Sequence, residues 1–222
     1  MAIEVWSDIG CPWATLAVWR LHARRAALGL EERVRIDHRA FPLELFNSRP
    51  TPRDIVDAEI EVVAVRAPEA GWKRWYRDDV TYPVTTLLAL EAVQAAKEQG
   101  LDASERLDLA LRQAIWRDSR CISLRHEVLE AAAFAPVDVG ALERALDAGT
   151  YRQRVIDDWR AAADGAAEGS PTVVLSDGTR ATNPGIEQHW EGPKPGGKPV
   201  IDSDDPSLYD VLLKRAAALG SR

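Results

Sequence analysis

The stretch VWSDIGCPWATLAVWRLH (residues 5–22) decides the fold, because it places a cysteine where a strand pattern gives way to a helix pattern. The cysteine opens the motif Cys11-Pro12-Trp13-Ala14. A Cys-x-x-Cys motif at such a junction is typical of a dithiol redox site. This chain has alanine where the second cysteine of such a motif would stand, so any chemistry here starts from one thiol.

The residues around this motif predict a β-α-β opening. Residues 2–7 alternate in the manner of a short strand. Residues 12–28 carry apolar side chains at helical spacing, and proline suits the first helical turn, where its missing N–H is no loss. Residues 33–41 alternate again and predict a second strand.

The middle of the chain, from about residue 55 to 165, is rich in Ala, Leu, Glu and Arg and has few strand signals. It therefore predicts a helical block rather than a continuation of the sheet. The predicted helices lie near residues 53–66, 83–99, 103–116, 124–133, 138–146 and 150–164.

Strand character returns at residues 171–176, and residues 179–182 are the predicted partner strand across the Asp177-Gly178 turn. The remaining elements are a short helix opened by Asn183-Pro184 and ending near Trp190, a loop over residues 191–200, and an amphipathic helix over residues 205–219.

Composition and charge limit the classes of function. The chain has 222 residues, two cysteines and a net charge of −7, which argues against nucleic acid as the main partner. The sequence lacks a long apolar run and a basic, then apolar N-terminus, so it predicts no membrane span, no signal peptide and a cytoplasmic protein. The cysteines and histidines show no metal-binding spacing, so no metal site is predicted.

Three features together resemble a known family. They are the CPWA segment at 11–14, the GSPT turn at 169–172 and the helical stretch with its segment 114–132. The chain resembles the DsbA-like thioredoxin-fold family, in particular the branch of FrnE-like oxidoreductases, 2-hydroxychromene-2-carboxylate isomerases and kappa-class glutathione transferases. The resemblance implies an α/β thioredoxin-like fold (β-α-β … β-β-α) with a large helical insertion. The implied division is a thioredoxin-like domain of residues 1–46 and 166–222 and an insertion domain of residues 47–165.

The resemblance also implies a substrate groove. Ser170-Pro171 is expected to form a cis peptide bond that faces the thiol and exposes a backbone edge to an extended peptide or to glutathione. Pro12, Trp13 and Ala14 would complete the motif side of the groove, with Trp13 partly exposed. FrnE-like proteins have a second motif cysteine where this chain has Ala14, so their dithiol cycle does not carry over.

Cys11 is the predicted reactive residue. At the start of a helix, the free N–H groups and the helix dipole favour a thiolate, so the sequence predicts a pKa below the ordinary value of about 8.5. A lone thiolate attacks a disulfide or an electrophile, but it has no neighbour to resolve the mixed disulfide. The alternative is an inert small residue at an inactive site.

Three further residues are candidates for the same site. Cys121, on the insertion, would resolve a mixed disulfide on Cys11 if the family topology holds, whereas its alternative is a buried, inert thiol. Asn183 and Gly185 open the predicted short helix, whose free N–H groups would bind the carboxylate of a small thiol. The alternative for these two residues is plain helix capping.

These features favour a DsbA-family thiol-disulfide oxidoreductase-like protein that acts through one cysteine on a protein or small-molecule disulfide. One alternative is a glutathione- or other small-thiol-dependent transferase or isomerase, and another is a non-catalytic thioredoxin-fold binding module. No firmly bound cofactor is predicted, although glutathione or another low-molecular-weight thiol is a candidate. A homodimer is compatible with the sequence, which shows no decisive apolar patch.

Overall fold

The structure is a computed structural model that describes residues 1–220. Within that part of the chain, a four-stranded sheet has the order β2-β1-β3-β4, and a separate hairpin pairs β5 with β6. Strand β2 runs parallel to β1, whereas β3 is antiparallel to β1 and β4 is antiparallel to β3. The strands are β1 (Ala2–Ser7), β2 (Arg35–Ala40), β3 (Thr172–Val174), β4 (Arg180–Thr182), β5 (Ile186–Glu191) and β6 (Lys198–Asp204).

Helices account for the rest of the regular structure, and the predicted helical block is confirmed. The helices are α1 (Pro12–Ala27), α2 (Leu43–Asn47), α3 (Arg53–Ala64), α4 (Leu87–Ala96), α5 (Leu101–Trp116), α6 (Arg125–Ala132), α7 (Val139–Ala148), α8 (Arg152–Ala161) and α9 (Ser207–Leu219). The predicted helix at 83–99 begins later than expected, at Leu87, and its end is a short 3₁₀ turn over residues 97–99.

Helix α1 is the element that joins the two largest apolar cores. Its Val18 and Leu21 pack with strand residues and α9 in one core, whereas its Leu16 packs with the middle helices in the other. The first turn of α1 is buried as well, at Pro12, Trp13 and Ala14. Cys11, which directly precedes α1, therefore lies at the boundary between the sheet and the helices.

The prediction of a short helix from Asn183 to Trp190 is wrong. Residues 186–191 form β5, which pairs antiparallel with β6, so part of the predicted loop over 191–200 is also a strand. Exposure alternates along β5: Glu187, His189 and Glu191 are exposed, whereas the residues between them are half-buried. This two-residue period is typical of a strand with one face on the protein, and pairing with β6 satisfies its backbone.

Candidate functional site: the thiol at the start of α1

Cys11 caps the first turn of α1. Its backbone is extended, with φ −95° and ψ 117°, and Pro12 is the first helical residue. The Cys11 N–H donates to the Asp8 carbonyl at 3.2 Å, and the Cys11 carbonyl accepts from the Thr15 N–H at 3.0 Å. The Thr15 hydroxyl donates to the same carbonyl at 3.1 Å. The prediction that the thiol lies at a strand-to-helix junction is thus confirmed.

The Ser170-Pro171 segment faces this thiol across the sheet. The peptide bond between Ser170 and Pro171 is cis. Cys11 Sγ lies 3.3 Å from the Ser170 carbonyl oxygen, to which the thiol donates. The two segments meet because β1 and β3 are neighbours, with Trp6 paired to Thr172. The fold therefore brings together two predicted site elements that are far apart in sequence.

Burial reverses the expected acidity of Cys11. The side chain is only 5% exposed, and this burial is the main reason that its pKa rises from near 9 to about 12. The Glu59 carboxylate raises the pKa further, and the backbone N–H of Ala14 lowers it only in part. The prediction of a lowered pKa is wrong because desolvation outweighs the helix terminus. In this conformation Cys11 is a neutral thiol.

Glu59 is a site residue that the sequence reasoning missed. It is 9% exposed, burial raises its pKa, and its carboxyl group interacts with the Trp13 indole. Trp13 is itself buried rather than partly exposed as predicted, because it packs in the helical core. Glu59 follows Val56 by three residues and precedes Val63 by four, both of them buried, so its place on the apolar face of α3 was visible in the sequence.

Asp8 fixes the turn before Cys11. Its carboxylate accepts the N–H groups of Gly10 and Leu43, both at 2.8 Å, and its own N–H donates to the Ser170 hydroxyl at 2.9 Å. Burial raises the pKa of Asp8, partly offset by these backbone hydrogen bonds. The turn is therefore tied both to the cis-proline segment and to the start of α2.

The comparison with known families decides the assignment. The DSBA-like thioredoxin domain matches residues 2–190, which is most of the chain. The chain belongs to the DSBA-like thioredoxin family. No curated protein matches the sequence.

Solved structures show the same fold. A probable DsbA oxidoreductase from Streptomyces coelicolor aligns with a TM-score of 0.70 and 23% identity, covering 100% of this chain and 91% of that chain. The cytosolic disulfide reductase DsbM from Pseudomonas aeruginosa aligns with a TM-score of 0.66 and 18% identity, covering 99% and 100%. A 2-hydroxychromene-2-carboxylate isomerase aligns with a TM-score of 0.57 and 16% identity, covering 100% and 95%.

This DSBA-like chain has its second thiol elsewhere in the helical core. Cys121 lies in the turn between α5 and α6, is buried, and belongs to the same apolar core as Cys11. Both cysteines are free thiols in the structure. The resolving role of Cys121 stays a prediction.

The helix expected to bind a small-thiol carboxylate through Asn183 and Gly185 does not exist. Asn183 adopts a left-handed φ of 44°, and Gly185 one of 74°, so the segment is a turn into β5. The Asn183 N–H donates to the Pro171 carbonyl at 3.0 Å, and the Gly185 carbonyl accepts from the Asp205 N–H at 2.7 Å. The helix-terminus argument is thus corrected, although the turn does adjoin the Pro171 segment.

Neither a membrane-spanning helix nor a metal-binding cluster occurs within residues 1–220. In that range no helix is long and apolar enough to cross a membrane. The same residues contain no group of three or more potential metal-ligating side chains.

Proposed function

We propose that this protein is a thiol-disulfide exchange protein in which Cys11 alone forms the mixed disulfide. The observation that carries the proposal is the 3.3 Å contact between Cys11 Sγ and the Ser170 carbonyl, next to Pro171. This places the thiol beside an extended backbone segment, so a disulfide that reaches Cys11 also reaches that segment.

The reaction balances with two external partners. The Cys11 thiol loses its proton to water, and the thiolate attacks one sulfur of a disulfide RS–SR′. A bond forms between Cys11 Sγ and SR, and R′S⁻ leaves. A second thiolate R″S⁻ then attacks the SR sulfur, which forms RS–SR″ and returns the Cys11 thiolate. Ala14 supplies no internal thiol, so glutathione or another low-molecular-weight thiol has to perform this second step. If Cys121 acts instead, its thiolate attacks Cys11 Sγ, which forms a Cys11–Cys121 disulfide and releases RS⁻, and two external thiols then reduce that disulfide and leave as their own disulfide.

The buried, neutral state of Cys11 implies that disulfide exchange is slow in the protein without substrate. With a pKa raised to about 12, very little thiolate exists at neutral pH. Substrate binding therefore has to admit water or a proton acceptor to the thiol before exchange. The expected substrate is a protein or small-molecule disulfide in the cytoplasm, which accords with the description of one structural neighbour as a cytosolic disulfide reductase.

The test is intact-protein mass spectrometry after incubation with oxidised glutathione. We expect wild type to gain one glutathione per chain, and we expect Cys11→Ser to gain none. If Cys121 resolves the adduct, Cys121→Ser accumulates more of it than wild type does. An unmodified Cys11 at neutral and alkaline pH, in a sample whose urea-unfolded form reacts readily, contradicts the proposal.

A second candidate, a glutathione-dependent transferase or isomerase, is favoured by the same raised pKa. A neutral Cys11 thiol is a hydrogen-bond donor, so it can stabilise the thiolate of a bound small thiol without forming a covalent bond. One structural neighbour, DsbM, has been solved with GSH, with a TM-score of 0.63 and 17% identity. Calorimetric titration with reduced glutathione separates the candidates: this function predicts that Cys11→Ser keeps binding and Cys11→Ala weakens it. A non-catalytic binding module predicts no change in either variant.

A further inference from the structure

A buried arginine lies behind the Cys11 turn. Arg112, on α5, is 2% exposed and forms a two-pronged ion pair with Asp108, with N–O distances of 2.7 and 3.1 Å. Its other hydrogen bonds leave the helix. They reach the Ser7 hydroxyl at 2.8 Å, the Asp8 carbonyl at 3.1 Å and the Thr15 hydroxyl at 3.2 Å. These contacts employ the full set of guanidinium donors.

Two of those acceptors also form hydrogen bonds with the backbone of Cys11. The Asp8 carbonyl that accepts from Arg112 also accepts the Cys11 N–H. The Thr15 hydroxyl that accepts from Arg112 donates its proton to the Cys11 carbonyl. Arg112 therefore reaches the peptide groups on both sides of Cys11, each through one intermediate group.

Arg112 is also connected, through Asp8, to the Ser170-Pro171 segment that faces Cys11. Asp8, whose carbonyl Arg112 binds, donates its N–H to the Ser170 hydroxyl at 2.9 Å. A displacement of Asp8 would thus change the separation between Cys11 Sγ and the Ser170 carbonyl. That separation defines the proposed site.

Stability alone is a poor reason for this arrangement. Removing an arginine and a carboxylate from water is costly, and apolar residues of similar size often stabilise a core equally well. The planar guanidinium of Arg112 directs its donors at three separate acceptors around the Cys11 turn. This arrangement is better explained by a need to hold that turn in a fixed geometry.

We propose that Arg112 is a positioning residue that fixes Cys11 against the Ser170-Pro171 segment and keeps the thiol covered. The proposal deepens the proposed function and rests on it for its role in exchange. The loss of any one anchor loosens the turn and admits water to Cys11.

The chain offers matched controls. Arg25, on α1, is likewise buried and paired with a buried carboxylate, Glu105, and it donates to the Val34 carbonyl at 2.9 Å rather than to the Cys11 turn. Ser104 has a buried hydroxyl that donates to the Val93 carbonyl at 3.1 Å. Arg25→Lys therefore matches Arg112→Lys, and Ser104→Ala matches Thr15→Val, which keeps the shape of Thr15 but removes its hydroxyl.

The experiment measures alkylation of Cys11 by iodoacetamide as a function of pH, alongside the unfolding temperature of each variant. Burial is the main cause of the raised Cys11 pKa, and the Glu59 and Asp8 carboxyl groups that also raise it are present in every variant. We expect Arg112→Lys and Thr15→Val to move the alkylation midpoint down by about one pH unit. Arg25→Lys and Ser104→Ala should lower the unfolding temperature to a similar degree without moving the midpoint.

A midpoint equal to that of wild type in both Arg112→Lys and Thr15→Val, together with a loss of stability matching the controls, overturns the proposal and makes Arg112 purely structural. If Arg112→Lys does not fold, Thr15→Val decides. Alkylation needs no disulfide substrate, so its result is independent of the exchange reaction. A wild-type protein that forms no glutathione adduct refutes the proposed function, while the alkylation profiles still decide whether Arg112 positions Cys11.

Discussion

Two turns of this molecule have the same local signal and opposite outcomes. Cys11-Pro12 follows β1, and Asn183-Pro184 follows β4. In both turns, the chain has left a strand and reaches a proline that is suited to the first turn of a helix. The first turn starts the 16-residue helix α1, whereas the second leads into β5.

The difference lies in what each following segment packs against. After Pro12, apolar residues at helical spacing are buried by the sheet on one side and by the middle helices on the other. After Pro184, half-buried and exposed residues alternate, and β6 is available as a partner strand. A proline permits a helix start, but burial of the face that follows determines whether the helix forms.

The largest expected effect is a loss of stability at acidic pH that depends on a histidine of α1 and not on a histidine of β5. His22, on α1, is half-buried, and desolvation, followed by the charge of the nearby Arg25, lowers its pKa to about 3 from an ordinary 6.5. Between these pH values the unfolded chain binds a proton that the folded chain does not, so stability falls as the pH falls. Each pKa unit corresponds to about 1.4 kcal/mol, so the loss attributable to His22 should reach several kcal/mol.

Urea unfolding of wild type and His22→Gln across this range measures that loss. The slope of stability against pH should be shallower in His22→Gln. The control is His189→Gln on β5, where the exposed imidazole lies 2.8 Å from the Asp202 carboxylate. Equal slopes in wild type and His22→Gln would contradict the prediction.

A substitution at Gly185 should have the next largest effect on stability. A Cβ at Gly185 would lie 2.1 Å from the Asp205 carbonyl oxygen, and the residue has a left-handed φ of 74°. Gly185→Ala should therefore destabilise the protein by more than about 2 kcal/mol in urea unfolding. Gly10→Ala should cost less, because its nearest obstacle is a methyl group of Thr86 at 3.0 Å. Similar losses in the two variants would show that the second turn rearranges easily.

The smallest expected effect concerns the acidity of Cys11. Glu59 raises the Cys11 pKa by charge repulsion, second to burial. Glu59→Gln should lower the alkylation midpoint by less than about one pH unit, since burial remains. The control is Glu61→Gln on the same helix, where Glu61 is exposed and paired with Arg74. A midpoint that moves equally in both variants, or in neither, would exclude a specific effect of Glu59.

Much of the fold could be predicted because its signals are local. The periodicity of residues 2–28 and the helical composition of the middle are each contained in a few neighbouring residues, and both were confirmed. The turn at Asp177-Gly178 does join β3 to β4, but it is wider than the two-residue hairpin turn that the sequence predicts, because the Leu175 N–H donates to the Thr179 carbonyl. The C-terminal hairpin was missed because a proline after asparagine is a signal shared by turns and helix starts. Only the partner strand β6 distinguishes the two.

The candidate site divides in the same way. The position of Cys11 at a helix start was predictable, but its acidity was not, because the buried carboxylate of Glu59 and the covering core come from distant segments. Arg112 was also invisible in the sequence, where it looks like one of many arginines on an amphipathic helix. Its contacts with Ser7, Asp8 and Thr15 arise only when α5 packs behind the turn.

By itself the sequence determined the β-α-β opening, the helical middle, the single motif thiol and the absence of a second cysteine at Ala14. These follow from side-chain type and spacing, which act over a few residues. The tertiary structure decided that the thiol is covered and neutral, that Ser170 lies against it and that Asn183 begins a hairpin. Desolvation, charge pairing and strand pairing depend on which segments meet in space, and such meetings are not encoded in any one stretch of the chain.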